Sequence, residues 1–368
     1  MSFLHSHSSG CVKSELALLT IPPTQPSIEN SQFVYYNAVS TLLNDTPIEF
    51  IVPGHREKYI VLAHTLIKVR ARILKPEGAA ALDHFVGLVN NFLHSMFNQV
   101  GVYFNQKDVT PPNNLYTYRA YIVTLLNYGT DSKSSHLGMP FWATDSYGAM
   151  DSTAVAVGDA GTNNGLAARQ AFNKGGKTFD RLGHLHCDVF DQDKFLDDYC
   201  FMDDMAENYK LHIEEASLIV RRMKLSPGIL IAHAKTLAKT TAKYPLTRVE
   251  VKSFVLHNGI MRETTDNAIV GQLRKRIILG SVENTSFNGS MKKNLVNFQT
   301  FGIHLLCLNV DGRQVHRKTL QPRFTSGVCL NVEAFNTLFA GTGTHVNHHG
   351  NSISRQPIPM DFDCSRSI

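Results

Sequence analysis

The stretch 214–246, EEASLIVRRMKLSPGILIAHAKTLAKTTAKYPL, decides the reading of the fold. Its first part completes a run over 210–223 in which Leu211, Ile213 and Ile219 stand opposite His212, Glu214, Leu218 and Val220. A period of two is a strand, and apolar residues on both faces towards its end describe a strand covered on both sides, as in the interior of a sandwich. Ser226-Pro227 then offers an N-cap and a first-turn proline and opens the helix GILIAHAKTLAKTTAK, which Tyr244-Pro245 stops. Lys235, Lys239 and Lys243 recur every four residues and mark its wet face.

Upstream, Thr65, Ile67, Val69, Ala71 and Ile73 alternate with Leu66, Lys68, Arg70 and Arg72, which puts the first set on a buried face and the basic set towards solvent. Residues 85–97 read as a helix, 100–104 as a strand ending in a turn at 105–107, and 116–128 as a helix closed by Gly129. The aromatics of that last helix, Tyr116, Tyr118, Tyr121 and Tyr128, are spaced as core residues rather than as a stacking platform. Residues 129–166, rich in Gly, Ser, Asp and Thr, read as one long loop, and strands resume at 178–190. Beyond the connector, 248–257, 275–281 and 301–310 return to the β pattern, with a hairpin turn at Asp311-Gly312. The layout is a β-rich half, a helical connector and a second β-rich half, which suggests related domains in tandem.

Composition narrows the function. The 368 residues carry 36 basic and 31 acidic side chains, a net charge of +5, and 18% charged residues in all. Soluble domains average about 25%, so the exterior is charge-poor. A balance of +5 is too dilute for a protein that wraps nucleic acid over its whole surface. The 43% hydrophobic content can bury a large core, and the length points to two domains. No run of about 18 apolar residues is present. The start, MSFLHSHSSGCVKSE, lacks the basic and apolar regions of a secretory signal, so an intracellular setting is expected. The six cysteines form no CxxC pair and read as reduced, mostly buried thiols. Residues 1–32, polar and Pro-rich, cannot fold alone and read either as a disordered terminus, the commoner case, or as an arm laid over another surface.

Motifs for chemistry are sparse. GxxxxGK, GxGxxG after a strand, GxSxG and HExxH are all missing from the sequence. One cluster has metal-ligand character: His184 and His186 share a strand face, with Asp191 beyond, the spacing by which some jelly-roll enzymes hold a divalent metal. That reading requires Asp191 and a third histidine to converge on the pair, and with 17 histidines in the chain an HxH arises easily by chance. His345, His348 and His349 read as solvated, and Arg274-Lys275-Arg276 as a solvated strand end. The residues by themselves therefore assign no catalytic group, no cofactor and no metal.

Several blocks in fixed order resemble one family, the double-jelly-roll major capsid protein of Polinton (Maverick) elements and adintoviruses. They are Ser14-Glu15-Leu16 leading to IPPTQPSIE at 21–29, TPIEFIVPG at 46–54, VNNFLHSMFNQV at 89–100 and YTYRAYIVTLLNYG at 116–129. They continue with GKTFDRLGHLHCDVFDQDKFL at 176–196, the 214–246 stretch, NGSMKKNLVNFQTF at 288–301, LNVDGRQV at 308–315 and FNTLFAGTG at 335–343. The resemblance implies an all-β chain of tandem (double) jelly-roll sandwiches with a few short helices. It places an N-terminal arm at 1–32, a first roll at 33–225 containing the 129–166 loop, a connector helix at 226–245 and a second roll at 246–368. It implies a structural subunit, not an enzyme, that trimerises into pseudo-hexagonal capsomers of an icosahedral shell around double-stranded DNA. Its partners would be copies of itself, penton and minor capsid proteins, with no sequence-specific nucleic-acid binding, and its place the virion. The chain departs from the family near residue 197, where one strand is missing, and after Arg355, so the second roll is expected to be incomplete. Two other readings stand beside this one: a cupin-like metalloenzyme using His184, His186 and Asp191, and a decayed or domesticated capsid remnant without assembly function.

Overall fold

The computed structural model describes residues 27–42, 46–55, 57–75, 77–79, 86–110, 114–153, 161–186, 201–202, 209–241, 249–260, 262–269, 276–310, 312–322, 332–342, 351 and 353. In chain order these form β1 (Ile28–Asn37), β2 (Lys58–Leu74), β3 (Gly87–Leu88), α1 (Phe92–Ser95), β4 (Tyr103–Phe104), β5 (Lys107–Asp108) and α2 (Tyr116–Asn127). There follow α3 (Thr130–Ser134), a 3-10 turn at His136–Gly138, α4 (Asn164–Asn173), β6 (Phe179–His184), β7 (Phe201–Met202), β8 (Lys210–Leu225) and α5 (Pro227–Leu237). The second half adds α6 (Asn284–Phe287), β9 (Leu306–Val310), β10 (Arg313–Leu320) and α7 (Val332–Thr342). The result is sheet-rich, with short helices.

The frame is a four-stranded antiparallel sheet in the order β1-β8-β2-β6. The alternation read in β2 is realised: Thr65, Ile67, Val69, Ala71 and Ile73 are buried, and the basic residues between them are half-exposed. Those basic residues are tied across the sheet, Arg70 to Asp180 on β6 at 2.8 Å and to Glu215 on β8 at 3.2 Å, and Arg72 to Glu214 at 3.2 Å. The buried apolar alternation sets the register of the three strands, and these cross-strand opposite charges agree with it. Ala216–Val220 of β8 are buried without interruption, as a strand covered on both faces requires.

Behind the sheet, α2 supplies Tyr116, Ala120, Tyr121, Leu125 and Leu126 to the core, as its spacing predicts. Lys133 on α3 donates to the Leu125 carbonyl at 3.0 Å and so satisfies an acceptor left open by the end of α2. The second half joins the same core: Leu295, Val296 and Phe298 are buried there, and Tyr118 stacks on Phe287 with ring centroids 5.8 Å apart.

Several sequence expectations are revised. The helix expected over 85–97 is the short strand β3 followed by the single turn α1, because Asn91 takes a left-handed conformation (φ 58°) that breaks a continuous helix. The loop expected over 129–166 contains α3, the 3-10 turn and the start of α4, which Asn163 caps by accepting from the Leu166 amide. The expected arm at 1–32 overlaps β1, whose first residues pair with β8 although their side chains are exposed. Residues 249–257 and 276–281, read as strands, lie outside regular strands, and Val255 is 68% exposed. An apolar alternation becomes a strand only where a sheet receives it, and the four-stranded sheet lies in the first half. The hairpin does form: β9 and β10 pair across Gly312, which takes φ 74°. Of the cysteines, Cys307 falls within the described residues and is exposed, not buried as expected.

Candidate assembly surface

The residues of α5 are mostly apolar, yet none of them is buried. Ser226 has the extended backbone of an N-cap and Pro227 occupies the first turn, as the sequence predicts. The helix ends at Leu237, before the expected 243. Thr236 and Thr240 bond back to the Ala232 and Thr236 carbonyls, an arrangement that weakens helix continuation. Residues 242–245 lie outside the described residues. The helix is tied to the sheet through Tyr59 of β2, whose hydroxyl meets Nδ1 of His233 at 2.9 Å with the two rings edge to face. Ile231 and Leu237 remain exposed. Lys235 and Lys239, read as a wet face, are exposed as well. Edge strand β1 adds Phe33 and Tyr35, two residues apart and therefore on one face, both exposed. In the second half Phe254, Val255 and Leu256 are three consecutive exposed apolar residues. Scattered apolar residues on a surface are ordinary, but an apolar helix with no buried residue and aromatics along a sheet edge are features of a surface meant to be covered.

The metal-ligand candidates are distributed differently from the sequence reading. His184 is the last residue of β6 and is exposed; His186, two residues on, is mostly enclosed. The partner of His186 is His94 of α1, with ring centroids 4.7 Å apart, and the Tyr116 hydroxyl lies 3.0 Å from His94 Nδ1 and accepts from the His186 backbone amide at 3.3 Å. Burial lowers the affinity of both rings for a proton, His186 down to about 4 and His94 well below its ordinary value; His186 and His184 further oppose charge on His94, and Arg119 and His184 oppose it on His186. Asp191 lies outside the described residues, as do His345, His348 and His349. Among the described residues no group of three His, Cys, Asp or Glu side chains is placed to hold a metal ion. His94 is the residue the sequence reading missed; it stands 92 positions from His186 and only its place under β6 links them.

No protein-family model matches this chain. An uncharacterized protein of Caenorhabditis elegans is 22% identical over 360 residues, covering 90% of this chain and 82% of the relative. Among solved structures, a chain from the 3.5 Å cryo-EM structure of the Sputnik virophage aligns with a TM-score of 0.38 and 10% identity. That alignment covers 60% of this chain and 53% of the virophage chain, so it spans about half of the latter's length.

A polar joint, also missed from sequence, holds the second half to the first. Arg169 of α4 is fully buried and donates from Nε to the Leu88 carbonyl at 2.6 Å, from Nη1 to the Ala143 carbonyl, and from Nη2 to Asp145. The other oxygen of Asp145 accepts from Asn294 Nδ2 at 3.3 Å. Asp151 accepts from the Asn294 amide at 2.7 Å and from Asn297 Nδ2 at 2.9 Å. These contacts span sequence separations near 145 residues, which no local pattern announces. Among the described residues no helix is long and apolar enough to cross a membrane.

Proposed function

We propose that this chain is a structural subunit of a protein shell, of the double-jelly-roll type found in Polinton elements and adintoviruses, and that it works by packing against copies of itself. The observation that carries this reading is α5: an apolar helix, in the connector position, none of whose residues is fully buried in the protomer. The low charge content accords with it, since large permanent interfaces are apolar and poor in charge at their centres. The blocks of sequence that resemble that family run in order from residue 14 to residue 343 and include the one that forms β8 and α5.

In this reading three copies associate into a pseudo-hexagonal capsomer. The exposed aromatics of β1 and the apolar face of α5 are buried between copies. The virion is then its place, with penton and minor capsid proteins as further partners. Size-exclusion chromatography with light scattering tests it: a trimer or larger assembly at micromolar concentration is expected, and a monodisperse monomer overturns the proposal.

A further inference from the structure

A cavity of about 790 Å³ opens between the main sheet and the segments 135–143 and 168–172, its wall including Tyr35, Lys68, Met139, Phe141, Phe172 and Arg181. That volume is in the range of small-molecule sites. Arg181, on β6, is only 7% exposed. Its Nη1 donates to the Asp180 carbonyl at 2.9 Å, while Nε and Nη2 are buried with no hydrogen-bond partner. Buried guanidinium groups are normally paired, so two idle donors on one require a reason.

The surroundings hold the cation without neutralising it. The guanidinium carbon lies 3.8 Å from the Phe141 ring centre, 5.0 Å from that of Phe179 and 5.7 Å from that of Phe172. Phe141 is held over it at φ 72°, a left-handed conformation rare for an aromatic residue and of the kind that collects at ligand sites. Asp180, the acid in the same wall, is engaged by Arg70 through contacts of 2.8 and 3.4 Å. Lys68 adds a second positive charge to the wall. Burial depresses the Arg181 pKa to about 10, as expected of a cation short of a counter-charge.

Nε and Nη2 form the edge of a guanidinium that presents two parallel N–H donors, the match for the two oxygens of a carboxylate. We infer that this cavity binds a small carboxylate carried on an apolar body, with its oxygens on Nε and Nη2 of Arg181 and its body against Phe141, Phe172 and Trp142. Phe172 is 68% exposed and is the ring that turns aside to admit it. A peptide backbone fits less well, because its amides need partners. In this wall Arg169 is engaged by Asp145, and the Trp142 indole donates to Thr144.

The test is titration calorimetry on the full chain with 3-phenylpropionate and with its neutral amide. The carboxylate is expected to bind at least about tenfold more tightly than the amide. Arg181→Met, which keeps the bulk and removes the fork, should abolish that preference. Arg181→Lys, which keeps the charge without the paired donors, should reduce it, and serves if the Met variant does not fold. Equal binding of acid and amide, no heat from the acid up to roughly 10 mM, or an unchanged preference in either variant overturns the inference.

Discussion

Arg169 and Asp145 form an ion pair at 2.5 Å in which the two side chains are 0% and 1% exposed. The pair joins α4 to the 143–151 segment, and Asn294 brings the second half onto the same carboxylate. Removing one member of a buried pair leaves an uncompensated charge, which costs about 3–5 kcal/mol, whereas an apolar replacement of both is far milder. Asp145→Asn, which keeps the shape and removes the charge, should therefore lower unfolding free energy by about that amount in urea titrations. Asn294→Ala should cost about 1–3 kcal/mol. Arg169→Met with Asp145→Leu should cost less than Asp145→Asn alone. If Asn294→Ala proves the more damaging of the two single changes, the ion pair is not the organiser of this joint.

Gly165, in the first turn of α4, makes that geometry possible. A β-carbon there would stand 2.5 Å from the Thr144 carbonyl oxygen and 2.7 Å from that of Ala143, the acceptor of Arg169. Both obstacles are backbone and cannot swing away, unlike the Phe298 ring that would face a β-carbon on Gly280. Gly165→Ala should destabilise by about 1–3 kcal/mol, the cost of overpacking a filled interior, despite alanine's better helix propensity. Gly280→Ala should cost less. Melting temperatures of the two variants decide it, and a stabilised Gly165→Ala would show that α4 can shift.

The parts of this fold legible in sequence are those with local causes. The alternation of β2, the doubly apolar β8, the Ser226-Pro227 helix start and the aromatic face of α2 are patterns within one element, and each is realised. Strands expected over 248–257 and 275–281 depend on a neighbour to pair with, which their own alternation does not supply. The site residues divide the same way. His184 and His186 stand out as a motif, but His186 meets His94 and Tyr116 because β6 passes over α1 and α2, a consequence of topology. Gly183 shows how close that passage is, since a β-carbon there would fall 2.7 Å from Leu93 and 3.2 Å from His94 Nε2.

The histidine pair makes stability depend on pH. In the folded chain His186 takes up a proton only near pH 4, and His94 lower than its ordinary value as well, whereas in the unfolded chain both protonate near 6.5. Between those limits the unfolded state binds more protons, so stability is intact above pH 6.5 and declines as pH falls towards 4. For His186 the loss is on the order of 3 kcal/mol. The carboxylates held low by cations, Asp180 by Arg70 and Glu283 by Lys293, add their own loss at still lower pH. Urea midpoints measured from pH 7.5 to 4.5 should fall steadily, and His186→Asn should flatten the slope. An identical slope in that variant would place the acid sensitivity elsewhere.

On the exposed helix the expected outcome separates assembly from folding. None of the side chains of α5 is buried in the protomer, and Ile231 is 56% exposed. Replacing Ile231 and Leu237 together by aspartate therefore removes little apolar burial from the monomer, and surface changes of this kind usually alter stability by less than about 0.5 kcal/mol each. The same change placed at the centre of an interface buries two unpaired charges, which is prohibitive for association. The doubly substituted chain should melt within a few degrees of the original and run as a monomer by light scattering under conditions where the original assembles. An equally associated variant would show that α5 faces solvent in the assembly, and that the exposed aromatics Phe33 and Tyr35 on β1 are the place to look for the contact.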